Sequence, residues 1–127
     1  MNNILVYCEM RDNRVAEVSL ELLSEGRRLA DKLGVQLEAV ALGCGLQAVP
    51  AQVFPYGVDT IHLFDDARLC PYTTLPYAAA LSKLVKENDY QIFLLGATIE
   101  GRDLAPRLTA ELHCGLTADC TSLEIGN

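Results

Sequence analysis

The chain has 127 residues, half of them hydrophobic and 21% charged, a composition typical of one ordinary globular domain. Ten Lys and Arg against 17 Asp and Glu give a net charge of −7, which repels the phosphate backbone of nucleic acids. No stretch approaches the roughly 20 apolar residues that a membrane-spanning helix needs, so we expect neither a nucleic-acid partner nor a membrane span.

The first half of the chain predicts two strands and one long helix. Residues 4–7 form a wholly apolar run, typical of a strand buried on both faces. After the polar stretch 9–14, five apolar residues recur at helical spacing and predict one buried face: Val15, Val18, Leu22, Leu29 and Leu33. Gly34 is expected to end this helix, and 35–42 predicts the second strand. The next segment has helical spacing, but Pro50 and Pro55 shorten any helix there.

The second half continues the alternation of strands and helices. Short apolar runs at 60–64 and 91–95 predict two more strands, and 116–125 predicts the start of a fifth. Residues 73–87 predict a helix with Pro76 in its first turn. Its expected buried face consists of Leu75, Ala79, Leu81 and Leu84. A last helix runs through Leu104 and Leu108 and is expected to end at Gly115.

The order of these elements predicts the fold class. Strands alternate with helices, and each connection is long enough for a right-handed crossover. We therefore expect a single α/β domain over residues 1–127, with three α/β/α layers around an open parallel sheet.

Two loops at the carboxyl ends of strands are the candidate ligand sites, because such sheets bind ligands where the strand order reverses. The loop at 9–14 is charged and lacks the glycines and hydroxyls with which backbone amides cradle phosphate. The loop at 96–103 has Gly96 and Gly101 at P-loop spacing, but Arg102 and Asp103 stand where Lys and Ser or Thr are required. In a purely structural interpretation Gly96 permits a turn, Asp103 lies near a helix amino end, and Arg107 is solvated or pairs with an acid.

No catalytic or metal-binding constellation stands out. His62 lies inside an apolar strand and His113 near a helix end, each without an obvious nucleophile beside it. Asp65 and Asp66 are adjacent in sequence and point to different sides of a strand end, where they face water rather than one metal ion. We predict neither catalytic residues nor a metal site.

The five cysteines are odd in number, widely spaced and without a CxxC pair: Cys8, Cys44, Cys70, Cys114 and Cys120. This spacing indicates neither a disulfide framework nor a structural zinc site. We expect reduced thiols in a cytoplasmic protein.

Three stretches carry a family resemblance. The most specific is GATIEGRDLAPRL at 96–108, continuing through Glu111 and Leu112 to GLTADC at 115–120. With ILVYCE at 4–9 and LELL at 20–23, it resembles the amino-terminal domain of the electron transfer flavoprotein alpha subunit over nearly the whole chain. The implied fold is adenine-nucleotide-alpha-hydrolase-like, or universal-stress-protein-like.

The resemblance implies a heterodimer that carries electrons between acyl-CoA or other flavin dehydrogenases and an acceptor. In that family this domain is a scaffold against the beta subunit, and FAD is held mainly by a carboxyl-terminal domain. Because the sequence stops at Asn127, we expect a fragment without the FAD domain, which binds no flavin, is not a catalyst by itself, and is able to form a homodimer through an exposed apolar patch.

The site residues follow from the same resemblance. Interface or structural roles are expected for Gly96, Asp103, Pro106 and Arg107, with Pro106 in the first turn or so of its helix. The weak candidates for contact with a cofactor are Thr98, Gly101 and Arg102.

Two other functions stay open. A free-standing adenine-nucleotide-binding domain of universal-stress-protein type has a compatible fold, and Gly101→Asp should abolish its nucleotide binding. A small hydrolase or transferase using Thr98, Cys8 or Cys120 is disfavoured because no base is placed beside these groups.

Overall fold

The structure is a computed structural model that describes residues 2–112, 115–116 and 122–124, the last two stretches as backbone. Its strands, in chain order, are β1 (Asn3–Tyr7), β2 (Met10–Arg11), β3 (Arg14–Val15), β4 (Leu37–Gly43), β5 (Thr60–Asp65), β6 (Tyr90–Leu94), β7 (Gly115–Leu116) and β8 (Ser122–Glu124). The helices of this part of the chain are α1 (Glu17–Leu33), α2 (Val49–Val53), α3 (Thr74–Glu87) and α4 (Ile99–Leu112). Single 3₁₀ turns lie at Phe54–Tyr56 and Ala67–Leu69.

The main sheet has the order β5-β4-β1-β6-β8-β7. Strands β5, β4, β1 and β6 are parallel, whereas β8 is antiparallel to both β6 and β7. The prediction of one parallel strand at 116–125 is therefore wrong. Only five residues separate β7 from β8, which suits an antiparallel connection and is too short for a parallel crossover.

Helices cover both faces of the sheet and give the expected α/β/α layers. On one face α1 and α2 pack over strand residues such as Ile4, Val6 and Leu37. On the other face α3 and α4 pack over residues such as Leu5 and Phe93. Because its side chains alternate between these two cores, β1 is buried throughout, as the apolar run at 4–7 predicts.

The buried face of α1 differs from the predicted one. Its buried residues are Ser19, Leu23, Gly26 and Ala30, whereas Leu33 is 43% exposed. A Cβ atom on Gly26 would lie 2.9 Å from Leu37 Cδ1, so small residues let this helix approach the sheet closely. The residues with apolar spacing lie at the edge of the contact between α1 and the sheet instead of at its centre.

Half of the buried face predicted for α3 is confirmed, since Leu81 and Leu84 are buried and Leu75 and Ala79 are not. Pro76 is in the first turn as expected, but Leu75 is 61% exposed and Ala79 is exposed as well. The buried residues are Tyr77, Ala78, Leu81, Ser82, Leu84 and Val85. Apolar residues recur at helical spacing on two faces of α3. The face that contains Tyr77 packs on the sheet, and the Tyr77 hydroxyl donates to the Leu69 carbonyl.

Helix α4 begins earlier than predicted, and this changes the position of its proline. Pro106 is the eighth residue of the helix and lies in its interior instead of its first turn. Proline removes the amide that would bond the Arg102 carbonyl, and both residues are solvent-exposed, so water can satisfy that carbonyl. The helix ends at Leu112, and Gly115 belongs to β7. His113, Cys114 and Cys120 lie outside the described residues.

The polar stretch after β1 is ordered as a hairpin. Strands β2 and β3 pair antiparallel across Asp12 and Asn13, whose φ angles are 53° and 63°. Two consecutive positive φ angles define the turn type that matches the twist of a two-residue hairpin. Asp and Asn are residues that tolerate this conformation, so a sequence signal for the hairpin was present.

Candidate functional site

The candidate site lies at the carboxyl ends of β1 and β6. Strand β1 leads through α1 to β4 on one side, and β6 lies on its other side, so the strand order reverses between β1 and β6. Ligands of open α/β sheets bind at this point. We call the space here the switch-point cleft; it measures about 650 Å³ and is lined by Glu9, Met10, Arg11, Tyr72, Ile99, Glu100, Arg102 and Asp103.

A buried carboxylate, that of Glu9, bridges the two loops of the cleft. Its side chain accepts a hydrogen bond from Thr98 Oγ1 at 2.6 Å and another from Arg11 Nη2 at 2.6 Å. Its backbone amide donates to Ser19 Oγ at 2.8 Å. A buried charge is stable only with such partners, and here they join the β2–β3 hairpin to the loop after β6.

A second carboxyl group, that of Glu100, lies beside it. Tyr7, at the end of β1, donates its hydroxyl hydrogen bond to Glu100 Oε2. Burial raises the pKa of Tyr7 well above its usual range, and the adjacent Glu100 charge raises it further. Burial also raises the pKa of Glu100, with the Glu9 charge adding to the effect and the Tyr7 hydrogen bond opposing it. Two partly or fully buried carboxyl groups, those of Glu9 and Glu100, therefore lie side by side at this end of the sheet.

Thr98 and Gly101 serve the loop itself. The Thr98 hydroxyl donates to Glu9 and accepts from the Gly101 amide at 3.0 Å, which makes Thr98 the cap of α4. A Cβ atom on Gly101 would lie 1.9 Å from the Gly96 carbonyl oxygen, so only glycine permits this close approach. Of the three candidate cofactor contacts, Arg102 alone has an exposed side chain on the cleft rim.

Asp103 links α4 to the first residue of α3 and to Tyr72 just before that helix. As the fifth residue of its helix it lies beyond the first turn, and it accepts hydrogen bonds from Thr74 Oγ1 and, at 2.6 Å, from Tyr72 Oη. These bonds hold its pKa below the usual range, and the positive charge of Arg107 adds to the effect. The expected helix-end role of Asp103 is thus replaced by a contact between two elements.

His62 belongs to a polar cluster near the amino end of the sheet. Glu38 Oε1 lies 2.7 Å from His62 Nε2 and accepts from Tyr90 Oη at 2.6 Å, while Asn3 Nδ2 donates to Oε2 at 2.8 Å. These bonds outweigh the effect of burial and lower the pKa of Glu38. His62 is therefore a hydrogen-bonded residue of a cross-strand network, as expected, and lies at the opposite end of β1 from the cleft.

The two adjacent aspartates at the end of β5 have separate structural partners. Asp65 accepts from the amides of Gly45 and Leu46, each at 3.1 Å. Asp66 caps the following 3₁₀ turn by accepting from the Arg68 amide at 2.9 Å. Within the described residues no group of three or more His, Cys, Asp or Glu side chains is placed to hold a metal ion.

The cysteines correct one prediction. Cys44 and Cys70 form a disulfide with their Cα atoms 5.9 Å apart, although their separation of 26 residues indicated no pairing. Strands β4 and β5 are parallel neighbours, so the loops that follow them begin at the same edge of the sheet and meet there. Cys8 is a buried free thiol, and burial raises its pKa to about 12.

No helix in the described part of the chain is long and apolar enough to cross a membrane.

The fold and its cleft define an α/β domain of the adenine-nucleotide-alpha-hydrolase-like type. Residues 4–127 match the family model described as "Electron transfer flavoprotein domain", and the chain belongs to this family.

The curated relatives agree with the family match. The chain is 42% identical over 123 residues to "Electron transfer flavoprotein subunit alpha" of Thermoanaerobacterium thermosaccharolyticum, covering 97% of this chain and 37% of the relative. It is 43% identical to "Acryloyl-CoA reductase electron transfer subunit beta" of Anaerotignum propionicum, covering 97% of this chain and 34% of that one. "Protein FixB" of Rhizobium meliloti is 45% identical, with 97% and 36% covered. The chain thus spans about a third of the length of these relatives.

Proposed function

We propose that the chain is the amino-terminal scaffold domain of an electron transfer flavoprotein alpha subunit, within a heterodimer that carries electrons between flavin dehydrogenases and an acceptor. Two of the relatives named above carry the name of an electron transfer subunit, which supports the class of function. In this proposal FAD is held by a carboxyl-terminal domain outside residues 1–127, and the chain is a carrier component and not a catalyst.

The observation that carries the proposal is the chemistry of the switch-point cleft. In an open α/β sheet that binds nucleotides, the amides and hydroxyls at the point where the strand order reverses must be free to bind phosphate. Here the Thr98 hydroxyl and the Gly101 amide are bonded to each other, and the Arg11 guanidinium is paired with Glu9, so these donors are already engaged within the protein. A scaffold role fits this cleft better than nucleotide binding.

The surface that we assign to the partner subunit lies at the free edge of β5. Leu63 on this strand is 41% exposed, and Leu75 on the neighbouring α3 is 61% exposed. Between strand and helix lies a depression of about 590 Å³, to which Phe64, Leu69 and Pro76 contribute apolar surface. Exposed apolar surface of this kind is typical of an interface. On α4, Pro106 and Arg107 are exposed and stay predicted interface residues.

Three finer statements belong to the same proposal. The partner is a flavoprotein beta subunit, the dehydrogenases include those acting on acyl-CoA, and the complex is cytoplasmic. The homodimer expected for the isolated chain would use the same apolar surface, and would be displaced by the beta subunit.

The proposal is tested by the ligand content and partner binding of the purified chain. An absorption spectrum, followed by denaturation and identification of released molecules, should find neither flavin nor adenine nucleotide, and the chain should bind a beta subunit in size-exclusion chromatography. Adenine nucleotide at near-equal ratio would contradict the proposal in favour of a free-standing nucleotide binder. Stoichiometric flavin would place the cofactor site in this domain, and failure to bind the beta subunit would count against the scaffold.

A further inference from the structure

We propose that Cys44 and Cys70 form a reversible thiol–disulfide site, whose oxidation state controls one wall of the switch-point cleft. The inference rests on the geometry around the pair and does not depend on the proposed electron transfer function. The reactants are a dithiol of low molecular weight or a protein dithiol in one direction, and a disulfide in the other.

Both sulfur atoms belong to residues that reagents can reach. Cys70 is exposed and Cys44 is half-buried, and neither belongs to the two hydrophobic cores. Cys8 is their opposite, since it is 1% exposed and burial raises the pKa of its thiol to about 12. Thiol–disulfide exchange requires access of a thiolate to a sulfur atom, so the exposed pair is the reactive one of these three cysteines.

The exchange is balanced in two steps. A thiolate of the dithiol attacks one sulfur of the pair, forms a mixed disulfide and releases the other cysteine as a thiolate, which takes up a proton. The second thiol of the reductant then closes its own disulfide and releases the first cysteine. Two electrons pass to the protein, the Cys44–Cys70 bond is broken, and the dithiol becomes a disulfide.

The fold at this edge does not depend on the disulfide. The loop that carries Cys44 is held by the bonds from the Gly45 and Leu46 amides to Asp65, and the Asp66 amide donates to the Gly43 carbonyl at 2.8 Å. All of these contacts join the end of β4 to the end of β5 without sulfur. Reduction should therefore release a local tether and leave the sheet intact.

The segment that the disulfide tethers forms part of the cleft. Two residues after Cys70, Tyr72 lines the cleft and donates to Asp103 of α4 at 2.6 Å. Its ring packs edge-on against Tyr77, with centroids 4.8 Å apart. A smaller cavity of about 180 Å³ lies between the disulfide, Tyr72 and Glu100. With the tether broken, Tyr72 gains freedom to move in this space, and Asp103 loses a fixed partner.

The test compares oxidised and reduced protein in a Cys114→Ser/Cys120→Ser background, which removes the thiols outside the described structure. Alkylation with peptide mapping should find Cys44 and Cys70 blocked after oxidation and free after treatment with dithiothreitol. Amide hydrogen exchange at 70–76 and 99–105 should then accelerate about tenfold or more, while β1 is unchanged. A Cys44→Ser/Cys70→Ser variant should exchange like the reduced protein whether or not dithiothreitol is present.

Three results would overturn the proposal. Free Cys44 and Cys70 thiols after oxidation would show that the pair does not form. Unchanged exchange at 99–105 on reduction would show that the pair is not coupled to the cleft. Accelerated exchange throughout β1 would show that the disulfide is a structural requirement of the whole fold and not a switch.

Discussion

At the scale of single residues, the loop after β6 is determined by contacts that only particular side chains allow. The Thr98 hydroxyl both donates and accepts a hydrogen bond, and Gly101 has no side chain to clash with the Gly96 carbonyl. The sequence marks both positions as candidates for cofactor contact. In the structure both residues allow α4 to pack against the end of β6. Replacing either residue should therefore change the stability of the protein.

Replacing Gly101 by Ala should destabilise the protein. The new Cβ atom would overlap the Gly96 carbonyl oxygen, so the backbone must move, and we expect a loss of about 1–3 kcal/mol in the free energy of unfolding. Urea denaturation monitored by circular dichroism measures this free energy. Arg102→Ala, on the exposed side of the same helical turn, is the control and should change stability by about 0.5 kcal/mol or less. Equal effects of the two substitutions would contradict the close approach.

Thr98→Val keeps the shape of the side chain and removes its hydroxyl. The buried Glu9 carboxylate and the Gly101 amide would each lose a partner, so we expect a loss of about 1–3 kcal/mol. Thr98→Ser retains the hydroxyl and should keep most of the stability. Equal stabilities of the Val and Ser variants in urea denaturation would argue against the bridging role.

At the scale of elements, polar side chains connect strands that the backbone ladders already pair. The cluster around Glu38 joins β1, β4, β5 and β6 through Asn3, His62 and Tyr90. Such a network stabilises the sheet most while Glu38 is ionised, since Asn3 and Tyr90 donate to the carboxylate and bonds to a charged acceptor are stronger.

Acid should therefore weaken this network. The hydrogen bonds lower the pKa of Glu38 in the folded state, so its contribution is complete above the unfolded pKa of about 4.3 and is lost as the pH falls through the folded value. Urea midpoints from pH 7 to pH 3 should fall less steeply in Glu38→Gln than in the unsubstituted protein. Tyr90→Phe, which removes one donor, should lie between them. Parallel pH profiles for all three proteins would refute the assignment.

At the scale of the whole molecule, the free edge of β5 and the adjoining part of α3 are the surface assigned to the partner subunit. Leu75 is exposed and lies outside the core, so Leu75→Lys should leave the stability nearly unchanged and weaken binding of the beta subunit about tenfold or more. Leu33→Lys, an exposed leucine on the helix layer of the other face, is the matched control. Calorimetric titration would measure both. Equal affinities of the two variants would remove this surface from the proposal.

Much of the fold was predictable because its signals are local. The apolar runs of β1, β4, β5 and β6 and the helical spacing between them predicted the order of the elements, and the motif at 96–108 predicted the family that the comparisons confirm. The helix faces of α1 and α3 were predicted only in part, because small residues at the centre of the α1 contact carry little apolar signal and α3 has apolar residues on two faces. Local sequence does not say which one meets the sheet.

The sequence by itself determined the class of fold, the family and the two loops that meet at the site. Only the tertiary structure decided what those loops do: that Glu9 binds Thr98 across 89 residues, that Cys44 pairs with Cys70, and that the last strands run antiparallel. The physical reason is that strand and helix formation depends on neighbours within a few residues, whereas hydrogen bonds, disulfides and sheet order depend on which distant segments packing brings to the same edge.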